Sequence, residues 1–244
     1  MGLAPAAPVA ILSDNSVDSA LLMLAAMHVG LPVAFVSSAY VRSTKDHAKL
    51  HSLLLLLGPG LMYAGDGAAF GAAMRSAGLG CPMVFSHNVP DGAAAFHTLL
   101  ETKEKPAVMM AFARITPESH AKYLLTSGST GMPKAVVNTH RMLCANQEAI
   151  AQVWPFIDHA APVVLDWLPW SHTFGANHNF NLILRNGGTL YIDEGRPAPG
   201  LIEKSVNNLR DVAPTLYFNV PRGFDALLPF LEQNDALAYH FFAR

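Results

Sequence analysis

The chain has 244 residues, of which 51% are hydrophobic and only 14% are charged, and its net charge is −2. This composition excludes an intrinsically disordered chain, and the lack of a basic excess excludes a nucleic-acid-binding protein that relies on a clustered cationic face. The two cysteines, Cys81 and Cys144, are too few and too far apart for a disulfide framework or a cysteine-based zinc site, and they indicate reduced thiols in a cytoplasmic protein.

The apolar stretches predict buried elements rather than membrane spans. The longest of them, 20–37, is interrupted by His28, Gly30 and Pro32, so a helix, a turn and a strand describe it better than a transmembrane helix. The first residues lack the basic segment that opens a secretory signal peptide. The chain is long enough to bury a sizeable core in one large domain or two.

Predicted strands and helices alternate along the first hundred residues. They are, in chain order, a strand at 8–12, a helix that ends near His28, a strand at 33–36, a helix at 46–57, a strand at 61–64, a helix at 68–76 and a strand at 83–85. Alternation at this spacing is typical of βαβ units. The predicted fold class is therefore α/β, with mostly parallel sheets flanked by helices.

A more polar connection at 101–120 separates this first subdomain, 1–100, from a second one at 121–244. The elements predicted for the second part are a strand at 123–125, a glycine-rich loop, a helix at 139–153, strands at 163–165, 189–192 and 215–219, and helices around 179–184, 201–210, 224–231 and 236–242. Thr139 is expected to cap the helix that follows the loop. No internal repeat interrupts this pattern.

The glycine-rich loop reads TSGSTGMPK from Thr126 to Lys134, between a predicted strand and a predicted helix. Gly128 and Gly131 permit backbone conformations in which consecutive amides point into one concavity and bind an anion. The hydroxyl side chains of the loop are Thr126, Ser127, Ser129 and Thr130. Lys134 adds a positive charge, and the residue order fits neither a Walker A loop nor the dinucleotide-binding glycine fingerprint. The loop therefore predicts a different kind of polyphosphate cradle.

The TSGSTG-x-PK loop resembles the signature of the acyl-activating, AMP-forming superfamily, which includes acyl- and aryl-CoA synthetases, luciferases and peptide-synthetase adenylation domains. Ala135 departs from the pattern, since most members have glycine there. A second segment, LPWSHTFGANHN at 168–179 followed by NGGTLYIDEG at 186–195, most resembles the feruloyl-CoA synthetase branch, which activates hydroxycinnamates. The resemblance covers most of the chain and implies part of the large N-terminal domain of such an enzyme.

The second segment also supplies the candidate acid-binding residues, because a histidine or aromatic motif at this distance from the loop lines the acyl pocket of the superfamily. The resemblance implies substrate-binding roles for Trp170, His172, Phe174 and Gly175. His172 is the candidate catalytic residue, since its imidazole can donate a hydrogen bond to the carboxylate being activated. Phe174 and Trp170 can wall an aryl slot. His178 is expected to be structural, and no third ligand accompanies it and His172 to form a metal site.

The reaction that the resemblance implies has two steps. A carboxylate attacks the α-phosphorus of ATP and yields an acyl-adenylate and pyrophosphate, after which a thiol, that of coenzyme A, attacks the mixed anhydride. Mg²⁺ is expected to bridge phosphate oxygens, and the loop to hold the β- and γ-phosphates. The implied partners are thus small molecules, namely a carboxylic acid such as ferulate, ATP and coenzyme A.

The superfamily also carries a Tyr-Gly-x-Thr-Glu segment, an acidic residue for the ribose, a hinge and a C-terminal domain with an adenylation lysine, none of which occurs before Arg244. We therefore expect the sequence to be a fragment. Other interpretations stay open: a fatty-acyl-CoA or fatty-acyl-AMP ligase, a carrier-protein adenylation domain, or a non-catalytic truncated remnant. The sequence leaves the oligomeric state open.

Overall fold

The computed structural model describes residues 7–42, 47–127 and 133–242. The chain divides into two compact units, residues 1–143 and residues 144–244. This boundary differs from the predicted one, since the connection at 101–120 and the two strands that follow it belong to the first unit.

The first unit is built on a seven-stranded sheet in the order β5-β4-β3-β1-β2-β6-β7. The strands are β1 (Val9–Ile11), β2 (Val33–Phe35), β3 (Leu61–Asp66), β4 (Met83–His87), β5 (Ala94–Ala95), β6 (His120–Ser127) and β7 (Pro133–Thr139). All neighbouring pairs are parallel except β6 and β7, which are antiparallel. The predicted α/β class with a mostly parallel sheet is confirmed.

Helices accompany this sheet. They are α1 (Val17–His28), α2 (Ala39–Arg42), α3 (Ala48–Leu57), α4 (Gly67–Ser76), α5 (Phe96–Leu100) and α6 (Pro106–Phe112), with α7 (His140–Val153) running on into the second unit. The sequence predicts four of them, α1, α3, α4 and α7, but not α2, α5 or α6. Ser16 caps α1, since its Oγ accepts from Ser19 N at 3.1 Å, and Asp66 caps α4, since its Oδ1 accepts from Ala68 N at 2.8 Å. Every residue of β1 is buried, as expected for a strand covered on both faces.

Two predictions in the first unit need correction. The sequence predicts no helix in the connection at 101–120, yet α6 forms there with a proline in its first turn, although none of its residues is buried. The glycine-rich loop leads into strand β7 rather than directly into a helix. The residues of β7 include Val136, Val137 and Thr139, and such β-branched side chains favour a strand.

The second unit contains two parallel strands, β8 (Val163–Asp166) and β9 (Thr189–Ile192), paired in register from Val163↔Thr189 to Asp166↔Ile192. Its further elements are a 3₁₀ turn (Pro155–Asp158), a π-helical turn (Phe174–Asn179), α8 (Phe180–Asn186), α9 (Ile202–Val212), α10 (Pro221–Glu232) and α11 (Asp235–Phe242). The predicted strand at 215–219 runs beside β8 but makes only one bridge, Val164↔Leu216. Its hydrogen bonds to Val163 nevertheless hold it as a third parallel segment.

Among residues 7–42, 47–127 and 133–242, no helix combines the length and the apolar character needed to cross a bilayer.

Candidate active site

The strands on either side of the predicted phosphate-binding loop pair in antiparallel fashion. Thr126 on β6 is paired with Lys134 on β7, and Ser127 with Pro133. Both Thr126 and Lys134 are exposed, and directly opposed residues on antiparallel strands lie about 4.5–5.5 Å apart between their Cβ atoms. The two strands thus bring a hydroxyl and an ammonium group side by side next to the loop.

Four residues of the predicted cradle, Gly128, Ser129, Thr130 and Gly131, lie outside the described residues. Beyond β7, Thr139 Oγ1 accepts from Met142 N at 3.3 Å, which confirms the predicted cap of α7.

Ala135, which departs from the family pattern, lies opposite Leu125 and packs against the hydrophobic core of the first unit. Its methyl group is therefore partly buried beside β6. A glycine there would remove this contact, so the departure has a packing role in this chain.

The second motif forms a tight turn after β8. His172 N donates to Pro169 O at 3.0 Å, and Ala176 N donates to His172 O at 3.0 Å. Gly175 packs directly on the turn, since a Cβ at this position would lie 2.4 Å from the carbonyl oxygen of Leu168. Only glycine fits this close approach, which explains its place in the motif.

The imidazole of His172 is exposed at this turn, whereas the ring of Trp170 is only 1% exposed and packs edge-to-face on Phe180, with ring centroids 4.9 Å apart. The sequence predicts that Trp170 walls an aryl slot. In the structure, Trp170 belongs to the core of the second unit and supports the turn from behind.

Phe174 begins a π-helical turn, a geometry that occurs frequently at functional sites. The turn brings Phe174 and His178 together, with ring centroids 5.4 Å apart. Phe218 and Trp154 complete the group, and these two rings stack on each other at 5.9 Å with an interplanar angle of 11°. We call the four side chains Trp154, Phe174, His178 and Phe218 the aromatic wall.

Sequence reasoning missed two members of this wall. Trp154 follows the end of α7, and Phe218 lies on the segment beside β8. All four rings are half-buried, so the wall has accessible surface. No local pattern could have joined residues 64 positions apart, since only the tertiary fold brings them into contact.

Two buried carboxyl groups lie at the carboxyl ends of the parallel strands, the edge at which α/β sheets commonly bind ligands. Asp193, after β9, accepts hydrogen bonds from Ser205 Oγ at 2.5 Å, Asn208 Nδ2 at 2.8 Å and Gly195 N at 2.8 Å. These three hydrogen bonds compensate the buried negative charge of Asp193 and hold the loop after β9 against α9.

Asp166, the last residue of β8, is less well satisfied. Its Oδ1 accepts from Leu168 N at 3.0 Å, but its Oδ2 is buried without a hydrogen-bond partner that meets normal geometry. Burial raises the pKa of Asp166 to about 6, and the charge of Asp193 adds to this, while Leu168 and Asn179 oppose it. Burial, reinforced by Asp193, also raises the pKa of Tyr217. In the sequence, the position of Asp166 just before the second motif is the feature that could have identified it as a site residue.

The fold is that of adenylate-forming enzymes. The structure of ATP-bound MatB from Rhodopseudomonas palustris matches 98% of this chain and 44% of its own, with a TM-score of 0.71 and 20% sequence identity. At this identity the likeness establishes the fold alone.

The chain belongs to the AMP-binding enzyme family, whose model matches residues 1–242. Two curated relatives are long-chain-fatty-acid–CoA ligases. The one from Bacillus subtilis strain 168 is 29% identical over 135 residues, or 53% of this chain and 24% of that protein. The one from Escherichia coli O6:H1 is 30% identical over 124 residues, or 50% of this chain and 22% of that protein. The matches thus span less than a quarter of these relatives, and the names of these relatives do not include the feruloyl-CoA branch.

Proposed function

We propose that this chain is part of an AMP-forming acid–thiol ligase. A carboxylate oxygen attacks the α-phosphorus of ATP and displaces pyrophosphate, which gives an acyl-adenylate. The thiol of coenzyme A then attacks the acyl carbon, loses its proton and displaces AMP. The observation that carries this proposal is the hairpin of β6 and β7, which presents Thr126 and Lys134 on either side of the loop in a chain of the AMP-binding family.

The loop would act on the leaving group. Pyrophosphate gains negative charge as the bond to the α-phosphorus breaks, and fixed donors stabilise that charge best when they are already in place. We assign this role to the exposed ammonium of Lys134 and the exposed hydroxyl of Thr126. The residues that we assign to the triphosphate are Thr126, Ser127, Gly128, Ser129, Thr130, Gly131 and Lys134.

Magnesium would enter with the triphosphate, because Mg²⁺ keeps several water ligands and takes few from the protein. The exposed hydroxyl of Thr126 is an oxygen donor of the kind that this ion accepts. When bound, the ion would neutralise charge on the phosphate oxygens.

The acid would lie against the aromatic wall, and we propose a hydroxycinnamate such as ferulate. The exposed imidazole of His172 stands two residues before Phe174, so it can donate to the carboxylate while Phe174 contacts the ring. Gly175 keeps the turn closed behind them, and Trp170 supports it from the core. Flat, half-buried rings suit an aryl acid because offset and edge-to-face contacts add to simple burial.

A long-chain fatty acid is the second candidate, and the names of the two relatives favour it. A pyrophosphate-release assay with a hydroxycinnamate, a benzoate and fatty acids of several lengths separates the two classes. Turnover with fatty acids alone would replace the aryl assignment and leave the ligase assignment in place. A chain that binds nucleotide or acid but never releases pyrophosphate would favour a non-catalytic remnant.

The phosphate-loop assignment is tested with Lys134→Ala. We expect this variant to weaken ATP binding and ATP–pyrophosphate exchange by at least about tenfold while acid binding changes little, since loss of a hydrogen bond to a charged group costs about 1.5–3 kcal/mol. Lys103→Ala, at another exposed lysine of the first unit, is the matched control. Unchanged exchange in the Lys134 variant would count against the assignment.

A further inference from the structure

His178, which the sequence predicts to be structural, lies at the centre of the aromatic wall. Its ring meets Phe218 at 4.9 Å, Phe174 at 5.4 Å and Trp154 at 5.9 Å between centroids, with interplanar angles of 82°, 84° and 81°. Three nearly perpendicular contacts fix the plane of the imidazole. The ring is therefore held in one orientation before any ligand binds.

One nitrogen of this imidazole is anchored. Nδ1 of His178 lies 2.8 Å from Oδ1 of Asn179, the next residue of the π-helical turn. Asn179 is completely buried, and its side chain also interacts with the carboxyl group of Asp166 and lowers the pKa of that group. Asp166, Asn179 and His178 thus form a row that leads from the end of β8 to the wall.

The row fixes the direction of the hydrogen bonds. An ionised carboxylate only accepts, so Asp166 draws the NH₂ group of Asn179 towards itself. Oδ2 of Asp166 and Nδ2 of Asn179 are both buried and make no hydrogen bond of normal geometry among the described residues, but the Asn179 side chain lowers the pKa of Asp166, as an NH₂ group facing the carboxylate does. The amide oxygen of Asn179 then faces His178 and accepts from it, so Nδ1 carries the proton.

With the proton on Nδ1, the Nε2 atom of a neutral His178 is a hydrogen-bond acceptor. The hydrogen bond between this side chain and Asn179 uses Nδ1 and not Nε2. The wall therefore combines apolar rings with a single oriented acceptor. A site that can pair with a substrate hydroxyl discriminates against the analogue that lacks it, because the polar group is then left unpaired.

We propose that Nε2 of His178 accepts a hydrogen bond from a ring hydroxyl of the acid and makes His178 the residue that selects hydroxylated aryl acids. This proposal rests on the proposed function and names the substrate feature that the same site recognises. Asn179 and Asp166 act as positioning residues, since they orient the imidazole without touching the acid.

The test uses two acids that differ by one hydroxyl group, 4-hydroxycinnamate and cinnamate. Their binding to the 244-residue chain is measured by calorimetry, and by quenching of emission from its three tryptophans, one of which is Trp154 in the wall. We expect the chain to prefer 4-hydroxycinnamate by about three- to tenfold, the net contribution of one hydrogen bond. His178→Phe should bind both acids equally, with unchanged affinity for cinnamate.

Further variants separate recognition from folding. His178→Gln, whose side-chain amide can still accept a hydrogen bond, should keep part of the preference. Asn179→Ala should reduce the preference because it frees the imidazole, and His159→Phe, at an exposed histidine of the same unit, should keep it. Circular dichroism checks each fold, and His178→Gln decides the question if His178→Phe does not fold.

The possible failures are distinguishable. Equal binding of the two acids by the unmodified chain, or an undiminished preference in His178→Phe, overturns the role of His178 and leaves aryl-acid activation standing. Binding of fatty acids with no binding of either aryl acid overturns both the role of His178 and the aryl assignment. Loss of preference in His159→Phe as well as in His178→Phe also overturns the proposal, since the effect would then be nonspecific.

Discussion

Replacement of the buried Asp166 by asparagine should make the second unit more stable at neutral and alkaline pH. Asp166 is 2% exposed, and its pKa is raised from 3.8 to about 6, first by burial and then by Asp193. Leu168 and Asn179 donate towards it, and Tyr217 is the other titratable group that interacts with it. A carboxyl group whose pKa is raised in the folded state stabilises the fold below pH 3.8 and loses that contribution as the pH rises through 6.

The size of the effect follows from the pKa shift. About two pKa units correspond to about 3 kcal/mol, by which the ionised group lowers the free energy of unfolding at pH 8 relative to an unperturbed carboxyl. Asparagine keeps an oxygen for Leu168 N but meets the NH₂ group of Asn179 with a second donor. That mismatch offsets part of the gain, so we expect Asp166→Asn to be about 1–3 kcal/mol more stable at pH 8 and to lose this advantage near pH 4–5.

Urea denaturation between pH 4.5 and pH 8, followed by tryptophan emission, measures the difference. All three tryptophans, Trp154, Trp167 and Trp170, lie in the second unit, so their emission reports its unfolding. Asp193→Asn is the contrasting variant and should be destabilised at neutral pH, because its carboxylate accepts three hydrogen bonds. A difference between Asp166→Asn and the unmodified chain that stays constant across this pH range would refute the reasoning from burial.

Two further predictions concern a buried lysine and a tightly packed glycine. Burial lowers the pKa of Lys122, on β6, to about 7, so the first unit should gain stability from pH 7 to pH 10, and Lys122→Met should remove most of that rise in thermal melting curves. A rise of equal size in the variant would show that other groups cause it. Gly175→Ala places a methyl group 2.4 Å from the carbonyl oxygen of Leu168, and we expect it to cost about 1–3 kcal/mol in urea denaturation and to weaken acid binding. Unchanged stability would mean that the turn relaxes freely.

The sequence predicts the fold well wherever apolar runs are bounded by glycine, proline or cap residues. Strand β9 occupies 189–192 as predicted, between Gly187-Gly188 and Asp193. Strand β7 was missed because the sequence predicts that the loop leads to the helix at 139–153, although the β-branched residues Val136 and Val137 favour a strand. Helix α6 was missed because it is short, its residues are all apolar and thus show no helical alternation of polar and apolar positions, and it buries none of them.

The residues of the candidate site are also of two kinds, those that a local motif predicts and those that only the tertiary fold brings together. His172, Phe174 and Gly175 share one turn, so a local motif was enough to group them. Trp154 and Phe218 reach the wall only through tertiary packing, which no pattern along the chain encodes. The role that we propose for His178 could not be predicted, because it depends on which hydrogen bond the π-helical turn gives to its Nδ1.

The three parallel segments of the second unit end in buried polar residues that are satisfied to different degrees. Asp193 accepts three hydrogen bonds, and Asn219 accepts from Trp167 Nε1 and Val220 N while its Nδ2 donates to Tyr217. Of these three residues, Asp166 alone has a side-chain oxygen without a hydrogen bond of normal geometry in the described part of the chain. The side chain of Asn179 is the group that can donate to it. The ionised carboxylate of Asp166 lowers the stability of the fold. Its presence is explained if its charge orients Asn179 and, through Asn179, His178.

Asp166→Asn therefore tests both ideas together, because they predict opposite effects on stability and on recognition. The variant should gain stability at pH 8 while its preference for 4-hydroxycinnamate over cinnamate falls towards one, since a neutral side chain no longer dictates which end of the Asn179 amide faces His178. Such a trade of stability for recognition is common at functional sites. A variant that gains stability and keeps the full preference would show that Asp166 is buried at a cost but takes no part in orienting the imidazole.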